Sequence, residues 1–340
     1  MHLTERDDDS STFCAPPHSF PRSPAGGWMG RNGLLFALMC AIWGTTWLAI
    51  KVGVTAVPPL LFAASRFLLA GTLMLVWMGL AARCAGRRPP RVPSREWAVL
   101  LAVSLLVITG TYALLFWGMR HVDSGLGAIL NLGLMPVALL GIGLLYGEER
   151  FRPGQAVAIA LGLAGLALLL GPALALPGDS RALWGALAVV GGTLSYCWGT
   201  VLGRRLLRRH PPLLLSGLQT LLGGCALALL TVALEGPALR ASGGAGATLL
   251  RAALSPAVLG SWLFLVAGGS LVAFTIYLYL VREWGPLRAG LYAFISPVVA
   301  LALGSIVFGE PLTTAKLAGS ALVLAAAWLA LRPADPEQEP

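Results

Sequence analysis

The chain has 340 residues, of which 57% are hydrophobic and only 11% charged, and its mean hydropathy is +0.78. A water-soluble domain cannot cover that much apolar surface, so soluble classes are excluded before any motif is considered. The net charge of +9 accompanies no segment resembling a nucleic-acid module, and its distribution along the chain points instead to membrane orientation.

The first thirty or so residues carry Asp7-Asp8-Asp9 with several Ser and Pro, have no capacity to bury a core, and read as a disordered tail, residues 1–32. They hold no apolar run of the signal-peptide kind, so no cleavable leader is expected. Ten apolar runs of about twenty residues follow, each long enough for a hydrocarbon core of roughly 30 Å. Five, centred near Ile42, Gly71, Ile108, Met135 and Gly162, fill residues 33–172. Five more, centred near Gly192, Gly223, Ala267, Val299 and Leu322, fill residues 182–332, and an acidic tail closes the chain at 333–340.

In span one, Trp43 sits mid-membrane, too deep for an interfacial-belt residue, and either packs in the bundle core or lines a solute path. Lys51 lies near the far end of that span and reads as an anchor or as part of a positive field. Span two carries Arg66 about seven residues from its start, or roughly 10 Å along the axis. The arginine either snorkels to the outer interface or faces a cavity and attracts an anionic group, because an unpaired cation in lipid costs at least a few kcal/mol. The Tyr112 hydroxyl in span three needs a partner in hydrocarbon, whereas Trp117 is close enough to the span end to be a belt residue. In span four, Asn131 must hydrogen-bond something, either another helix or a substrate. Pro136 removes a backbone hydrogen bond and predicts a kink. Gly143 and Gly147 predict close helix packing, and Glu148 ends the span.

The second set repeats these features. Trp198 stands in span six, Tyr277 and Tyr279 in span eight, and Trp284 at that span's end. Tyr292 and Pro297 fall in span nine, with Glu310 beyond it. Tyr277 and Tyr279 point about 200° apart on a helix, so at most one faces a cavity. The match is a duplication: AIWGTTWLAIKVG corresponds to SYCWGTVLGRRLL, and GAILNLGLMPVALLGIGLLYGEE to AGLYAFISPVVALALGSIVFGEP. Trp43 pairs with Trp198, Pro136 with Pro297 and Glu148 with Glu310. Five spans per copy is an odd number, so the second copy is inverted relative to the first.

Charge agrees with inversion. The joint between spans one and two carries only Lys51, whereas its mate between six and seven carries Arg204, Arg205, Arg208 and Arg209. Both tails and the even-numbered joints hold seventeen basic residues against six in the odd-numbered joints, which predicts both termini in the cytoplasm. Cys14, Cys40, Cys84, Cys197 and Cys225 follow no metal spacing, so neither a metal nor a disulfide is expected.

With the Trp-Gly motifs of spans one and six, Pro58-Pro59 running into Arg66-Phe67, and the Pro-then-Gly-Glu pattern of spans four and nine, the chain resembles an EamA-type member of the drug/metabolite transporter superfamily. The resemblance covers about residues 33–332. It implies an all-α integral membrane protein of two inverted five-helix repeats. It also implies movement of small metabolites, such as amino acids, their analogues or drugs, across the bacterial cytoplasmic membrane. One departure from internal symmetry is Gln219, which occupies the second copy's equivalent of Arg66.

The expected function is a secondary transporter, exporting by alternating access, with uptake as the first alternative and a channel, receptor or intramembrane enzyme behind it. None of the fifteen acidic residues and none of His2, His18, His121 and His210 lies at the centre of a span. That speaks against a buried proton relay and against an enzyme. The candidate substrate contacts are Trp43, Arg66, Tyr112, Asn131, Trp198, Tyr277 and Tyr292, with Pro136 and Pro297 as helix kinks. Spans one, three, four, six, eight and nine are expected to line the path, with five and ten outside it. The expected partners are a small-molecule solute and the bilayer, with no cofactor, in a monomer or homodimer.

Overall fold

The structure is a computed structural model and describes residues 30–86, 88–146, 153–175, 180–284, 289 and 291–330. The tails, Gly147, Glu148, Arg150 and Arg152 lie outside those residues.

Every regular element among the described residues is helical. The first half comprises α1 (Arg31–Ala56), α2 (Pro59–Cys84), α3 (Ser94–Met119), α4 (Ser124–Ala128, Ile129–Gly133 and Met135–Leu145) and α5 (Pro153–Ala175). The second comprises α6 (Ser180–Arg209), α7 (Pro212–Ala241), the short α8 (Ala245–Ala253), α9 (Pro256–Leu263, Phe264–Val272 and Ala273–Trp284), α10 (Tyr292–Phe308) and α11 (Thr314–Ala330). Each of the ten apolar runs falls on its own helix, and α8 is the addition between spans seven and eight. Among the described residues seven helices are long and apolar enough to cross a membrane, and α5, α10 and α11 hold shorter apolar stretches. Prolines start α2, α7 and α9 at a position where the missing N–H costs nothing. Gly309, at φ 65°, ends α10 in the left-handed conformation that glycine adopts without strain.

Small residues let helices from opposite halves approach closely, and their order fixes the relative direction of the halves. On α2, Leu68, Gly71 and Leu75 meet Gly224, Leu221 and Gly217 of α7 in turn. On α5, Gly162, Gly165 and Leu169 meet Ala326, Val323 and Gly319 of α11. Numbers rise on one helix as they fall on the other, so each helix packs antiparallel against its own repeat mate. A two-fold axis in the membrane plane imposes that relation. The remaining packing also survives exchange of the halves: α1 lies on α9 and α10, as α6 lies on α3 and α4. Residues 31–56 and 292–308 run parallel, with Cys40 beside Ser296 and Gly44 beside Val299. That is the sense expected of two odd-numbered crossings.

Among the described residues four π-helical stretches interrupt the ladders: Leu105–Gly110 in α3, Ile129–Gly133 in α4, Thr231–Glu235 in α7 and Phe264–Val272 in α9. Those in α3 and α9 occupy matching places in the two repeats. Each π turn loosens the regular hydrogen bonding, and buried carbonyls freed in this way need other donors. The Leu106 carbonyl accepts from Thr111 Oγ1 at 2.8 Å and Ser195 Oγ at 2.8 Å, and the Leu265 carbonyl accepts from Ser270 Oγ at 3.1 Å. Pro136 follows the break in α4 at Leu134, whereas helix α10 continues through Pro297.

Two carboxylates of the second half hold helix N-termini of the first. Glu235, in α7, accepts from the N–H groups of Leu60 and Leu61 at 2.9 and 3.0 Å. Glu310 accepts from Ser124 N at 2.7 Å, Ser124 Oγ at 3.0 Å and Gly125 N at 3.3 Å. The exposed N–H groups of a helix start favour negative charge there. Lys316 pairs with Asp123 at 2.6 Å rather than with Glu310. Lys51 Nζ donates to the carbonyls of Met119 and Val122, at and just beyond the end of α3.

Candidate functional site

Between the halves lies a cavity of about 400 Å³, lined by α1, α2, α3, α4, α6, α7, α9 and α10. None of the described residues of α5 and α11 lines it, and these two helices pack on each other outside. The expected lining therefore gains α2 and α7, which meet as mates beside the space and present Arg66, Phe67 and Met74 from one side and Ser216, Gln219 and Thr220 from the other. The π stretches reach the cavity as well, through Val107 and Ile108 of α3, Asn131 and Leu132 of α4, and Gly269 and Ser270 of α9.

Two polar anchors converge on the α9 stretch. Trp43 Nε1 donates to the Gly269 carbonyl at 3.1 Å. The indole is thereby fixed, with the Tyr292 and Tyr277 rings 4.2 and 5.6 Å from it between centroids. These separations fall at or near the range of favourable aromatic pairing. A methyl group on Gly269 would lie 3.8 Å from Arg66 Nη2, so the aromatic cluster and the cation are neighbours across one glycine.

Arg66 is only 8% exposed and does not reach an interface. Its guanidinium carbon stands 5.0 Å from the Phe67 ring centroid and 6.0 Å from that of Tyr112. Nη2 approaches Ser270 Oγ at 3.5 Å, the outer limit of a hydrogen bond, and Nε has no partner. None of the described residues lining the cavity is acidic. A desolvated cation with unused donors and no counter-charge is suited to an anionic guest, because such a guest supplies the missing partner.

Asn131 lines the same space and also joins two helices, its Nδ2 donating to Thr193 Oγ1 at 3.1 Å. Tyr112 packs 4.3 Å from Phe67 and Tyr277 faces inward, whereas the Tyr279 hydroxyl donates to Asn32 Oδ1 at 3.2 Å, away from the cavity.

Trp198 does not belong to this group. Its side chain is 44% exposed on the outside of α6 and makes a T-shaped contact with Tyr146, with 5.8 Å between centroids. Repeat alignment places it at the level of Trp43, but the cavity is not symmetric about the axis. Four residues of α1 line it, Trp43, Thr46, Trp47 and Ile50, and only Tyr196 of α6. Tyr196 lies two positions before Trp198, about 200° around the helix, and sequence reasoning missed it for that reason. Gln219, Ser216 and Ser270 were missed as well. Gln219 had a signal, since it is the mate of Arg66.

Two segments, residues 31–171 and 183–332, match the EamA-like transporter family. The chain is 32% identical over 286 residues to a protein of Escherichia coli K12 named uncharacterized inner membrane transporter YedA, covering 83% of this chain and 84% of that one. It is 25% identical to a probable amino-acid metabolite efflux pump of Salmonella typhimurium, covering 88% and 94% respectively. An uncharacterized transporter of Archaeoglobus fulgidus is also 25% identical, with 89% and 99% covered. A solved crystal structure of a protein 22% identical superposes with a TM-score of 0.57 over 88% of this chain and 95% of the other, and shares the fold.

Proposed function

Because the chain belongs to the EamA-like transporter family, we propose that it is a secondary transporter exporting a small carboxylate-bearing metabolite, such as an amino acid or an analogue, across the bacterial cytoplasmic membrane. The observation that carries this reading is the cavity between the two halves, with one buried, carboxylate-free cation beside a fixed aromatic cluster. Arg66 takes the substrate anion, and Trp43, Tyr277 and Tyr292 cover its apolar body. Asn131, Gln219 and Ser270 supply neutral hydrogen-bonding groups.

In this reading access alternates by exchange of roles: rocking one repeat against the other closes the cavity on one side and opens it on the other. The antiparallel glycine seams of α2 with α7 and α5 with α11 allow such sliding, because small side chains leave few ridges to clear. The arginine-rich joints favour cytoplasmic termini, and in that reading α6 ends at the inner face. The name of the Salmonella relative, an efflux pump for amino-acid metabolites, supports the export direction and the substrate class.

The test is reconstitution. Proteoliposomes loaded with labelled amino acids, their N-acyl derivatives and the corresponding amides are expected to release carboxylate-bearing solutes unaltered and saturably. Release no faster than from protein-free liposomes across the panel, or recovery of chemically altered solute, would refute it.

A further inference from the structure

Gln219 lies seven residues after Pro212, the first residue of α7, as Arg66 lies seven after Pro59, the first of α2. The seam between the two helices repeats this correspondence, since Gly71 meets Leu221 just as Gly224 meets Leu68. On the same alignment Ser216 and Thr220 stand where the first half has Ala63 and Phe67. The duplication has therefore left a cation and an aromatic ring on one side of the two-fold axis and three neutral polar groups on the other.

Ser216, Gln219 and Thr220 all line the central cavity. Offsets of three and four residues put them on one face of α7. Their side chains have no hydrogen-bond partner among the described residues, whereas Asn131 is tied to Thr193. Hydrocarbon offers polar groups no partner, so this face is left for whatever fills the cavity. Opposite pairs along the seam are Leu68 with Gly224, Gly71 with Leu221 and Leu75 with Gly217. Gln219 is thus level with a point on α2 about seven residues beyond Arg66, roughly 10 Å along the axis. Among the described residues lining the cavity, Arg66 is the only charged one.

We propose that this face of α7 is a second subsite, which reads the far end of the solute whose carboxylate meets Arg66, and that this far end is an uncharged hydrogen-bonding group of the carboxamide or hydroxyl class. The inference rests on the carboxylate reading of the same cavity. Hydrogen bonds of about 2.9 Å at each end leave roughly 4 Å for the solute to bridge, about the length of one extended residue. An α-ammonium group adjoins the carboxylate and falls short. A far carboxylate or ammonium meets no counter-charge on α7. An apolar far end leaves the α7 groups unpaired, and a site built to hydrogen-bond its solute rejects the analogue that lacks the partner. The Gln219 amide both donates and accepts, which suits a carboxamide.

The experiment uses proteoliposomes of the full chain and compares initial rates for labelled glutamine, norleucine and glutamate at sub-saturating concentration. Norleucine has nearly the length of glutamine without the far polar group, and glutamate has its shape with a second charge. Wild type is expected to move glutamine faster than norleucine by roughly 30-fold, the worth of two neutral hydrogen bonds, and faster than glutamate by at least as much. Gln219→Leu is expected to bring glutamine and norleucine within about fivefold of each other, one bond's worth. Gln219→Arg, which copies Arg66 into the second half, is expected to turn the preference from glutamine to glutamate. Equal rates for the three solutes with wild type, above those of protein-free liposomes, would overturn the subsite and leave the carboxylate reading standing; this comparison needs no variant to fold. A glutamine preference undiminished in Gln219→Leu would overturn it as well, as would no transport of any of the three. Arg66→Gln protein that moves all three as wild type does would overturn the carboxylate reading and the subsite with it.

Discussion

Replacing Arg66 should move stability and transport in opposite directions. Confining an unpaired cation at mid-helix costs about 2.5–3.5 kcal/mol on insertion scales. The compensation visible in the structure is limited to the faces of Phe67 and Tyr112, at 5.0 and 6.0 Å, and a marginal contact to Ser270 at 3.5 Å. Together these are worth about 1–2 kcal/mol. Arg66→Met keeps the length of the side chain and removes the charge, so the ligand-free protein should gain on the order of 1 kcal/mol and unfold at a higher temperature in detergent. The same substitution removes the contact to a substrate carboxylate. A charge-assisted hydrogen bond is worth about 1.5–3 kcal/mol, so affinity for anionic solutes should fall by about 10- to 150-fold, while that for the matching amides should change little. Arg66→Lys retains the point charge without the planar fork and should be intermediate. Thermal unfolding and counterflow in liposomes, on carboxylate and amide pairs, measure both arms. A less stable Arg66→Met protein that transports both solutes as wild type does would show that the arginine is structural.

Gly71→Val places a side chain where even a Cβ lies 2.6 Å from the backbone of Leu221, and should abolish monodisperse protein in size-exclusion chromatography. Gly79→Val on the same helix has nothing within 4 Å of its Cβ and should cost under about 1 kcal/mol. Glu310→Gln keeps the shape and loses the charge at the start of α4, so a destabilisation of about 1–3 kcal/mol is expected by thermal melting; an unchanged melt would show that the charge there is idle. Reporter fusions at Arg88 and Arg208 should read cytoplasmic and those at Arg120 and Arg181 external, and one common side for Arg181 and Arg208 would contradict the inverted topology.

The fold was legible because the duplication leaves marks that need no alignment: Trp-Gly, the paired prolines, and ten runs of spanning length. Inversion follows from an odd span count, and the glycine seams display it directly. The site was legible in part. Arg66, Asn131 and the inward tyrosines were conspicuous because polar groups in hydrocarbon need a reason, and that argument is local. Trp198 failed because duplication gives depth along a helix and not the direction a side chain faces, which the asymmetric cavity decides separately in each half. The π stretches were invisible for a related reason. They change the rotation per residue at Leu105–Gly110 and Phe264–Val272, and apolar residues on every face leave no amphipathic phase from which to read the shift.

The carboxylates that cap α2 and α4 also set an order of assembly. Glu235 is separated from Leu60 by 175 residues and Glu310 from Ser124 by 186. At roughly 5–20 residues per second of synthesis, each helix start waits about 10 to 40 s for its partner. Throughout that interval the first half can be inserted but not finished, with bare N–H groups at the starts of α2 and α4. A chain stopped before residue 310 leaves α4 in that state permanently. Maturation of the early spans therefore depends on residues made much later, and a late truncation should expose an early helix to surveillance proteases.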